Sequence, residues 1–228
     1  MKKLTALLLG TVIGIAFTAS DAFAENPVMK YLKSDDGRTG GYLGLSYING
    51  PIDDVKASYL RGSTKSTWAL DDGEGAQVQF GFDFGKIRFD WRVAALYSNV
   101  ASIDGAVKDF DASDDAVVAY STINFDLDLY RFELMKQNFV NIAVTPYVGA
   151  GIGYGGGWMT GKKNSDALGA DAKRDAGGHG HVYSIGGGAL INLTSFAGIT
   201  VGYTHLEQTF DREKVRTHIS EVGLRLTF

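Results

Sequence analysis

The feature that most constrains this 228-residue chain is a strict alternation of apolar and polar residues. In residues 76–84 every second residue is apolar, and Gln77, Gln79, Gly81 and Asp83 stand between them. Successive side chains of a β-strand point to opposite faces, so this pattern predicts a strand with one apolar and one polar face. The pattern recurs in seven further segments and so predicts eight strands. Those segments are residues 43–47, 87–97, 117–129, 140–154, 183–193, 199–204 and 222–228.

Only Gly85 and Lys86 separate the second predicted strand from the third. A two-residue loop with glycine first suits the type II′ turn of a β-hairpin. Such a turn pairs Phe84 with Ile87, and both belong to the apolar faces, so the turn and the strand register agree. The apolar parity shifts by one residue near 130–134, where we expect a β-bulge.

The two faces of these strands differ in chemistry. The polar face carries mostly Gly, Ser, Thr, Asn, Asp and Arg, whereas the apolar face is rich in Phe, Tyr, Trp and Val. In membrane barrels the apolar positions contact lipid and the polar positions line the interior. An even number of strands in a closed sheet also satisfies every backbone group in lipid. We therefore expect an all-β fold, an eight-stranded antiparallel up-and-down transmembrane β-barrel, over residues 39–228.

The amino terminus has the anatomy of an export signal. Lys2 and Lys3 precede an apolar run over residues 4–17, and Ala22-Phe23-Ala24 forms a small-x-small cleavage site. The apolar run is shorter than the roughly 20 residues that span a bilayer, which disfavours a membrane anchor. We expect a signal peptide over residues 1–24, cleaved after Ala24, and a polar lead-in over residues 25–38. Together with the barrel pattern, this signal predicts that the protein is located in the outer membrane of a Gram-negative-type cell.

The connections between the predicted strands alternate in length. Residues 49–75, 98–116 and 157–180 are long and polar, residues 208–214 are intermediate, and residues 85–86, 135–139 and 194–198 are short. This is the layout of a barrel with extracellular loops at one end and periplasmic turns at the other. Four basic loop residues are candidate contacts with anionic lipid heads. They are Lys162, Lys163, Lys173 and Arg174.

Composition and motifs exclude several classes of site. The absence of cysteine rules out disulfides and thiolate chemistry, and a net charge of −4 argues against nucleic-acid binding. Residues 151–156 match GxGxxG, but no helix is indicated after them, so we expect no dinucleotide cofactor and interpret the glycines as making room for interior side chains. His179 and His181 are too few for a structural zinc site, so we expect no metal.

Eight charged residues fall on the polar faces of the predicted strands. The interior of an eight-stranded barrel is just wide enough for side chains to fill it, and unpaired charges there are unfavourable. We therefore expect a paired network in the lumen, with a narrow ion or solute path as the alternative. The residues are Asp83, Arg88, Asp90, Arg92, Asp126, Asp128, Glu221 and Arg225.

Three segments carry a resemblance to known barrels. They are GGYLGL at residues 40–45, PYVGAGIGY at 146–154 and VGLRLTF at 222–228. With its alternating strands, the chain resembles the small outer-membrane β-barrel families: the OmpA transmembrane domain, OmpX and the opacity-type surface antigens. The resemblance implies that the last strand, ending in Phe228, is the signal read by the outer-membrane assembly machinery. The functions that the resemblance implies differ among these families: adhesion, serum resistance, structural tethering or the formation of small pores.

A second pattern suggests an enzyme. His218 and Ser220 share the outward parity of the last strand, and Glu207 has the outward parity of the strand before it. A His-x-Ser pair with a carboxylate would suit a lipid A deacylase in which histidine activates serine, and the pattern resembles the PagL family. Glu221 follows the motif here, whereas that family has Asn, so we expect these residues to be polar positions at the edge of the membrane.

These observations together predict a monomeric, non-enzymatic outer-membrane barrel without cofactors. We expect a surface antigen or adhesin-like protein whose loops contact host or surface ligands, outer-membrane lipid or lipopolysaccharide. A small pore or hydrophobic-solute channel is the first alternative. The lipid A deacylase is the second alternative, from a different class of function.

Overall fold

The structure is a computed structural model that describes residues 39–58, 65–104, 114–137, 140–162, 173–210 and 213–228. The predicted signal peptide and lead-in lie outside the described residues. No helix in these ranges is long and apolar enough to cross a membrane. The described residues form eleven strands: β1 (Gly40–Gly50), β2 (Val55–Ser58), β3 (Lys65–Leu70), β4 (Gly73–Asp83), β5 (Ile87–Asp104), β6 (Asp114–Asp128), β7 (Phe132–Gln137), β8 (Val140–Lys162), β9 (Lys173–Asn192), β10 (Ala197–Phe210) and β11 (Glu213–Thr227).

Eight of these strands close into an antiparallel ring. Its order is β5-β4-β1-β11-β10-β9-β8-β6, and β6 pairs with β5 to complete it. The first and last strands are neighbours, with Tyr42 opposite Thr227 and Asn49 opposite Ser220. A closed ring leaves no unpaired sheet edge. The predicted eight-stranded antiparallel barrel is therefore confirmed.

The other three strands lie at the two ends of the ring. Strands β2 and β3 form a hairpin, and β3 pairs with the far end of β5, where Thr67 lies opposite Asp104. Strand β7 pairs with the start of β8, and its register shifts between Glu133 and Met135. This irregularity confirms the bulge predicted near residues 130–134.

The ring strands extend further than the alternation predicted. Strand β5 reaches Asp104, β8 reaches Lys162, and β9 begins at Lys173 directly opposite Lys162. Parts of the predicted loops at 49–75, 98–116 and 157–180 are therefore paired strands, and the predicted loop bounds were wrong. Pairing is made by backbone groups, so it continues beyond the point where the side-chain pattern stops alternating.

The tight turn between β4 and β5 has the predicted register. Phe84 N donates to Ile87 O at 2.9 Å, and Gly85 has a φ of 95°, which favours glycine. Gly85 N also donates to Asp83 Oδ1 at 2.8 Å. The carboxylate of Asp83 thus links the turn to the interior of the barrel.

Side chains alternate between the outside and the interior of the ring. Trp91 is 46% exposed, whereas its neighbours Asp90 and Arg92 are 0% and 7% exposed. Every ring strand contributes exposed apolar side chains to the outer surface, which is the surface that lipid covers in a membrane barrel. Examples, one from each ring strand, are Leu45, Val78, Trp91, Ile123, Ile152, Ile185, Val201 and Leu224.

Candidate functional site

A layer of charged side chains fills the barrel interior towards the short-turn end, with Arg92 at its centre. Arg92 Nε donates to Asp90 Oδ1 at 2.8 Å, and Arg92 Nη2 donates to Asp126 Oδ2 at 2.7 Å. Residues two apart on a strand share a face, which is why Arg88, Asp90 and Arg92 of β5 all point inward. The guanidinium of Arg92 thereby joins two carboxylates that are buried on neighbouring strands.

Two further arginines extend this charge layer around the ring. Arg88 Nη2 lies 2.9 Å from Asp128 Oδ1 and 3.8 Å from Asp126 Oδ2. Arg225 Nη2 donates to Asp83 Oδ2 at 2.6 Å. These contacts link β4, β5, β6 and β11, so the ion pairs cross-link strands that are far apart in sequence.

Neutral donors complete the charge layer. Tyr42 Oη and Gln79 Nε2 each donate to Asp90 Oδ2 at 2.8 Å. Ser46 Oγ donates to Glu221 Oε1 at 2.7 Å. All eight charged residues that the sequence placed in the lumen lie in the interior. Four of the five carboxylates form ion pairs with the three guanidinium groups, and Glu221 accepts the hydrogen bond from Ser46.

Two tyrosines of the charge layer were not among the predicted site residues. The guanidinium of Arg225 lies 3.7 Å from the ring centre of Tyr42, and that of Arg88 lies 4.3 Å from the ring centre of Tyr147. Stacking on an aromatic face stabilises a buried guanidinium. The inward parity of both tyrosines on their strands was the signal available in the sequence.

Glycines of β8 lie beside the charge layer, with Gly149 paired to Asp126 and Gly151 paired to Asn124 of β6. A Cβ on Gly149 would overlap the carboxylate of Asp126, and a Cβ on Gly151 would overlap the side-chain amide of Asn124. The hydroxyl of Tyr147 approaches two more glycines in the same way, at 2.9 Å from a Cβ on each: Gly188 and Gly202. Residues 151–156 lie inside β8, which continues as a strand to Lys162, so the segment lacks the helix that a dinucleotide fingerprint requires.

Beyond the charge layer, towards the end with the long connections, the interior is mostly apolar. The inward face of β5 changes from Arg92 to Ala94, Leu96 and Val100, with Ser98 among them, and Gln208 and Thr217 are also buried at this level. The expectation of a mostly polar lumen along the whole barrel was therefore wrong for this half. Two clusters of buried side chains fill it: Ile48, Ala94, Leu96, Tyr120, Val182, Leu206 and Ile219 in one, and Ile52, Val100, Ala116, Val118, Met159 and Val215 in the other. We call these two clusters the apolar plug.

Two cavities are present in the part of the barrel that the structure describes. A cavity of about 10 Å³ lies beside Arg92, Asn124, Asp126 and Tyr147, which is room for about one water molecule. A larger cavity of about 320 Å³ opens at the short-turn end, beside Arg131, Lys136 and Asn192 among others. Ion conduction needs a continuous hydrated path, and the apolar plug lies between the charge layer and the end with the long connections.

The histidine and serine singled out for lipid A hydrolysis, His218 and Ser220, lie on the outer surface of β11. The Oη of Tyr203 and Nδ1 of His218 are 2.8 Å apart, and the ring of His205 lies 4.7 Å from that of His218. Tyr203 is also the register partner of Ser220. The arrangement brings His218 to a tyrosine hydroxyl and a second imidazole.

Glu207, the carboxylate of the same hypothesis, has two cationic partners. Lys214 Nζ donates to Glu207 Oε1 at 2.6 Å, and Arg216 Nε donates to Glu207 Oε2 at 3.4 Å. The hydrogen bond from Lys214 lowers the pKa of Glu207. The two oxygens of Glu207 therefore face cations on β11, and a Ser–His–carboxylate relay is not assembled.

The remaining predicted site residues lie apart from one another. Exposed His179 and His181 flank the ring of Tyr154 at 5.8 Å and 6.0 Å, and within the described ranges no three potential ligands gather to hold a metal. Phe228 N donates to Gly41 O at 2.9 Å, which fastens the chain end to β1. The four basic loop residues fall at the far end of β8 and β9. Lys162 lies opposite Lys173, Arg174 lies opposite Gly161, and Lys163 is outside the described residues.

Comparisons with known proteins support the architecture. No protein-family model and no curated protein matches the chain. Among solved structures, Neisserial surface protein A (NspA) is 15% identical with a TM-score of 0.51, over 84% of this chain and 99% of that chain. OprG from Pseudomonas aeruginosa is 14% identical with a TM-score of 0.46, over 83% and 96%. Ail, the attachment invasion locus protein of Yersinia pestis, is 10% identical with a TM-score of 0.44, over 82% and 97%.

At these identities the likeness to NspA establishes the fold. It agrees with the closed ring of eight antiparallel strands and with the apolar outer surface. The resemblance drawn from the sequence is thereby confirmed for the architecture. The chain has the fold of the small eight-stranded outer-membrane β-barrels.

Proposed function

We propose that this protein is an outer-membrane β-barrel that acts at the cell surface, as a surface antigen or adhesin-like barrel, through the strand ends and loops that project from the membrane. The observation that carries the proposal is the filled interior. A barrel whose lumen holds an ion-pair layer and an apolar plug is suited to presenting a surface and poorly suited to conducting solutes. We propose no enzymatic activity for it.

The length of the ring strands supports a projecting surface. Strand β8 has 23 residues. At about 3.4 Å per residue and a tilt of about 40°, a strand of this length rises roughly 60 Å, against an apolar band of about 25 Å in barrels of this type. The hairpin of β8 and β9 therefore extends well beyond the membrane, and the β2–β3 hairpin widens the same end.

The closed interior is tested by planar-bilayer recording of the refolded full chain. We expect no discrete channels, because the apolar plug interrupts any hydrated path. Reproducible conductance steps would overturn the proposal in favour of the pore. Unboiled and boiled samples on a denaturing gel provide the control for folding, since a folded barrel migrates differently from the unfolded chain.

The surface role is tested with whole cells that display the protein. Binding to epithelial monolayers is compared between the full chain and a variant in which residues 163–172 are replaced by a short Gly-Ser linker. We expect the full chain to bind above an empty-vector control and the linker variant to lose most of that binding while keeping its heat-modifiable migration. Equal binding by all three strains would contradict the proposal.

A further inference from the structure

We propose that the outer surface of β10 and β11 binds a phosphate group of an outer-leaflet lipid headgroup. Lys214 and Arg216 supply the charge, and the paired imidazoles of His205 and His218 lie directly below them. We call this set, with Glu207, the rim patch. The inference rests on the proposed outer-membrane location but is independent of what the loops bind.

The position of the rim patch follows from the order of outward residues along two paired strands. On β11 the outward side chains pass from apolar to polar to cationic: Phe228, Leu226, Leu224, Val222, Ser220, His218, Arg216 and Lys214. On β10 they pass from Val201 to Tyr203, His205 and Glu207. The register places Tyr203 opposite Ser220 and His205 opposite His218. The outward side chains of both strands therefore change from apolar to polar at the same level. Such a change marks the passage from hydrocarbon to headgroups, where tyrosine is enriched in membrane barrels.

The charge of the rim patch suits a phosphate. Within the rim patch, Lys214 and Arg216 carry two positive charges against the one carboxylate of Glu207. Asp53, whose backbone N donates to Arg216 O at 2.9 Å, is an exposed acid beside the patch. The side chains of Lys214 and Arg216 are 63% and 55% exposed, whereas that of Glu207 is 23% exposed. The cations are therefore more accessible to a ligand than the carboxylate is.

Donors remain available after the internal contacts are counted. Lys214 and Arg216 each reach Glu207 through one nitrogen. An ammonium group has three N–H donors and a guanidinium group has five, so most of them are not used by the carboxylate. Arginine in particular presents a fork that matches phosphate oxygens.

The imidazoles of the rim patch are held in place. The hydroxyl of Tyr203 lies 2.8 Å from His218 Nδ1, and the ring of His205 lies 4.7 Å from that of His218. Less side-chain freedom is then lost when a ligand binds, which favours affinity.

The test reconstitutes the full chain in nanodiscs of phosphatidylcholine doped with bisphosphorylated lipid A or with its phosphate-free form. Native mass spectrometry counts the lipid A that stays on the released protein. We expect retention of the phosphorylated form only. The double variant Lys214→Gln/Arg216→Gln should lower that retention about tenfold, the size of one charge-assisted hydrogen-bond set. The matched control Lys86→Gln/Lys136→Gln removes two exposed lysines at the opposite end of the barrel and should change nothing.

A second variant separates binding from structural support. Glu207→Gln removes the carboxylate and raises the net charge of the rim patch, so we expect retention of phosphorylated lipid A to rise. Retention that falls in Glu207→Gln, or that is equal in the double variant and the wild type, would overturn the proposal. Inorganic phosphate is added as a competitor, because its ready displacement of the lipid would point to a site for soluble anions. If the proposed surface function is wrong, binding to epithelial cells is lost, but the number of lipid A molecules retained on the protein stays as expected here.

Discussion

Arg92 of β5 holds Asp126 of β6 inside the barrel, with Arg92 Nη2 at 2.7 Å from Asp126 Oδ2 and both side chains less than a tenth exposed. The same guanidinium donates to Asp90. One positive charge therefore sits between two buried negative charges, and it is the centre of the layer that fills the short-turn half of the lumen.

Replacing Arg92 with methionine should destabilise the barrel strongly. Asp90 and Asp126 would lose their shared cation while staying buried, and breaking a buried ion pair in this way costs about 3–5 kcal/mol. Urea unfolding of the refolded protein in detergent micelles measures the change. Lys86→Met, on the exposed β4–β5 turn, is the control with the same loss of charge and should have little effect. Similar unfolding midpoints for the two variants would contradict the role given to Arg92.

Gly149→Ala should also be destabilising, although it adds a single methyl group. The new Cβ would overlap the carboxylate of Asp126, and overpacking of this kind costs about 1–3 kcal/mol. Gly156→Ala on the same strand is the matched control, since its nearest neighbour would lie at 3.1 Å and the next at 3.5 Å. The measurement is again unfolding in micelles, and an equal effect at both positions would refute the space-making role of the inward glycines.

The apolar plug predicts that leucines on the two faces respond differently. Leu206 is 1% exposed in the interior, whereas Leu224 is 66% exposed on the outer surface. Leu206→Ala leaves an internal cavity and should cost about 2–5 kcal/mol. At Leu224→Ala, lipid or detergent fills the space, so the loss should be clearly smaller. The reverse order of stabilities would show that the interior is not packed as described.

Ser220→Ala should leave lipid A unchanged. His218 is held by Tyr203, and Glu207 is held by Lys214 and Arg216, so the three residues of the hydrolase hypothesis do not form a relay. Mass spectrometry of lipid A from cells expressing the wild type and the variant should show identical acyl chains. A missing acyl chain in wild-type cells that returns in the variant would establish the enzyme instead.

The barrel was predictable because lipid imposes one rule on every strand. Outward positions such as Val222 and Leu224 must be apolar, and each is followed by an inward small or polar residue, so period two is visible without knowledge of pairing. The inward charges followed from the same parity. The β4–β5 turn was predictable because a two-residue loop with glycine first, Gly85 and Lys86, favours one type of hairpin turn.

The apolar plug was not predicted because the alternation disappears where both faces are apolar. Residues 93–97 read VAALY, and from the sequence alone Ala94 and Leu96 merge with their outward neighbours. The extensions of β5, β8 and β9 were missed for a related reason, since backbone pairing at their ends carries no hydrophobic pattern. Partner choice across the ring was also hidden. Arg225 meets Asp83, 142 positions away, because closure brings β11 and β4 to either side of β1.

The most direct test of the central claim, a membrane barrel with lipid outside and a packed interior, is methyl NMR of the wild-type chain in nanodiscs that contain nitroxide-bearing phospholipid. Ile185 and Leu224 are 63% and 66% exposed on the outer surface, whereas Val182 and Ile219 of the same two strands are 0% and 2% exposed. We predict that the lipid-borne nitroxide broadens the methyl signals of Ile185 and Leu224 and spares those of Val182 and Ile219. Equal broadening at all four residues, or broadening of the inward pair alone, would contradict the account.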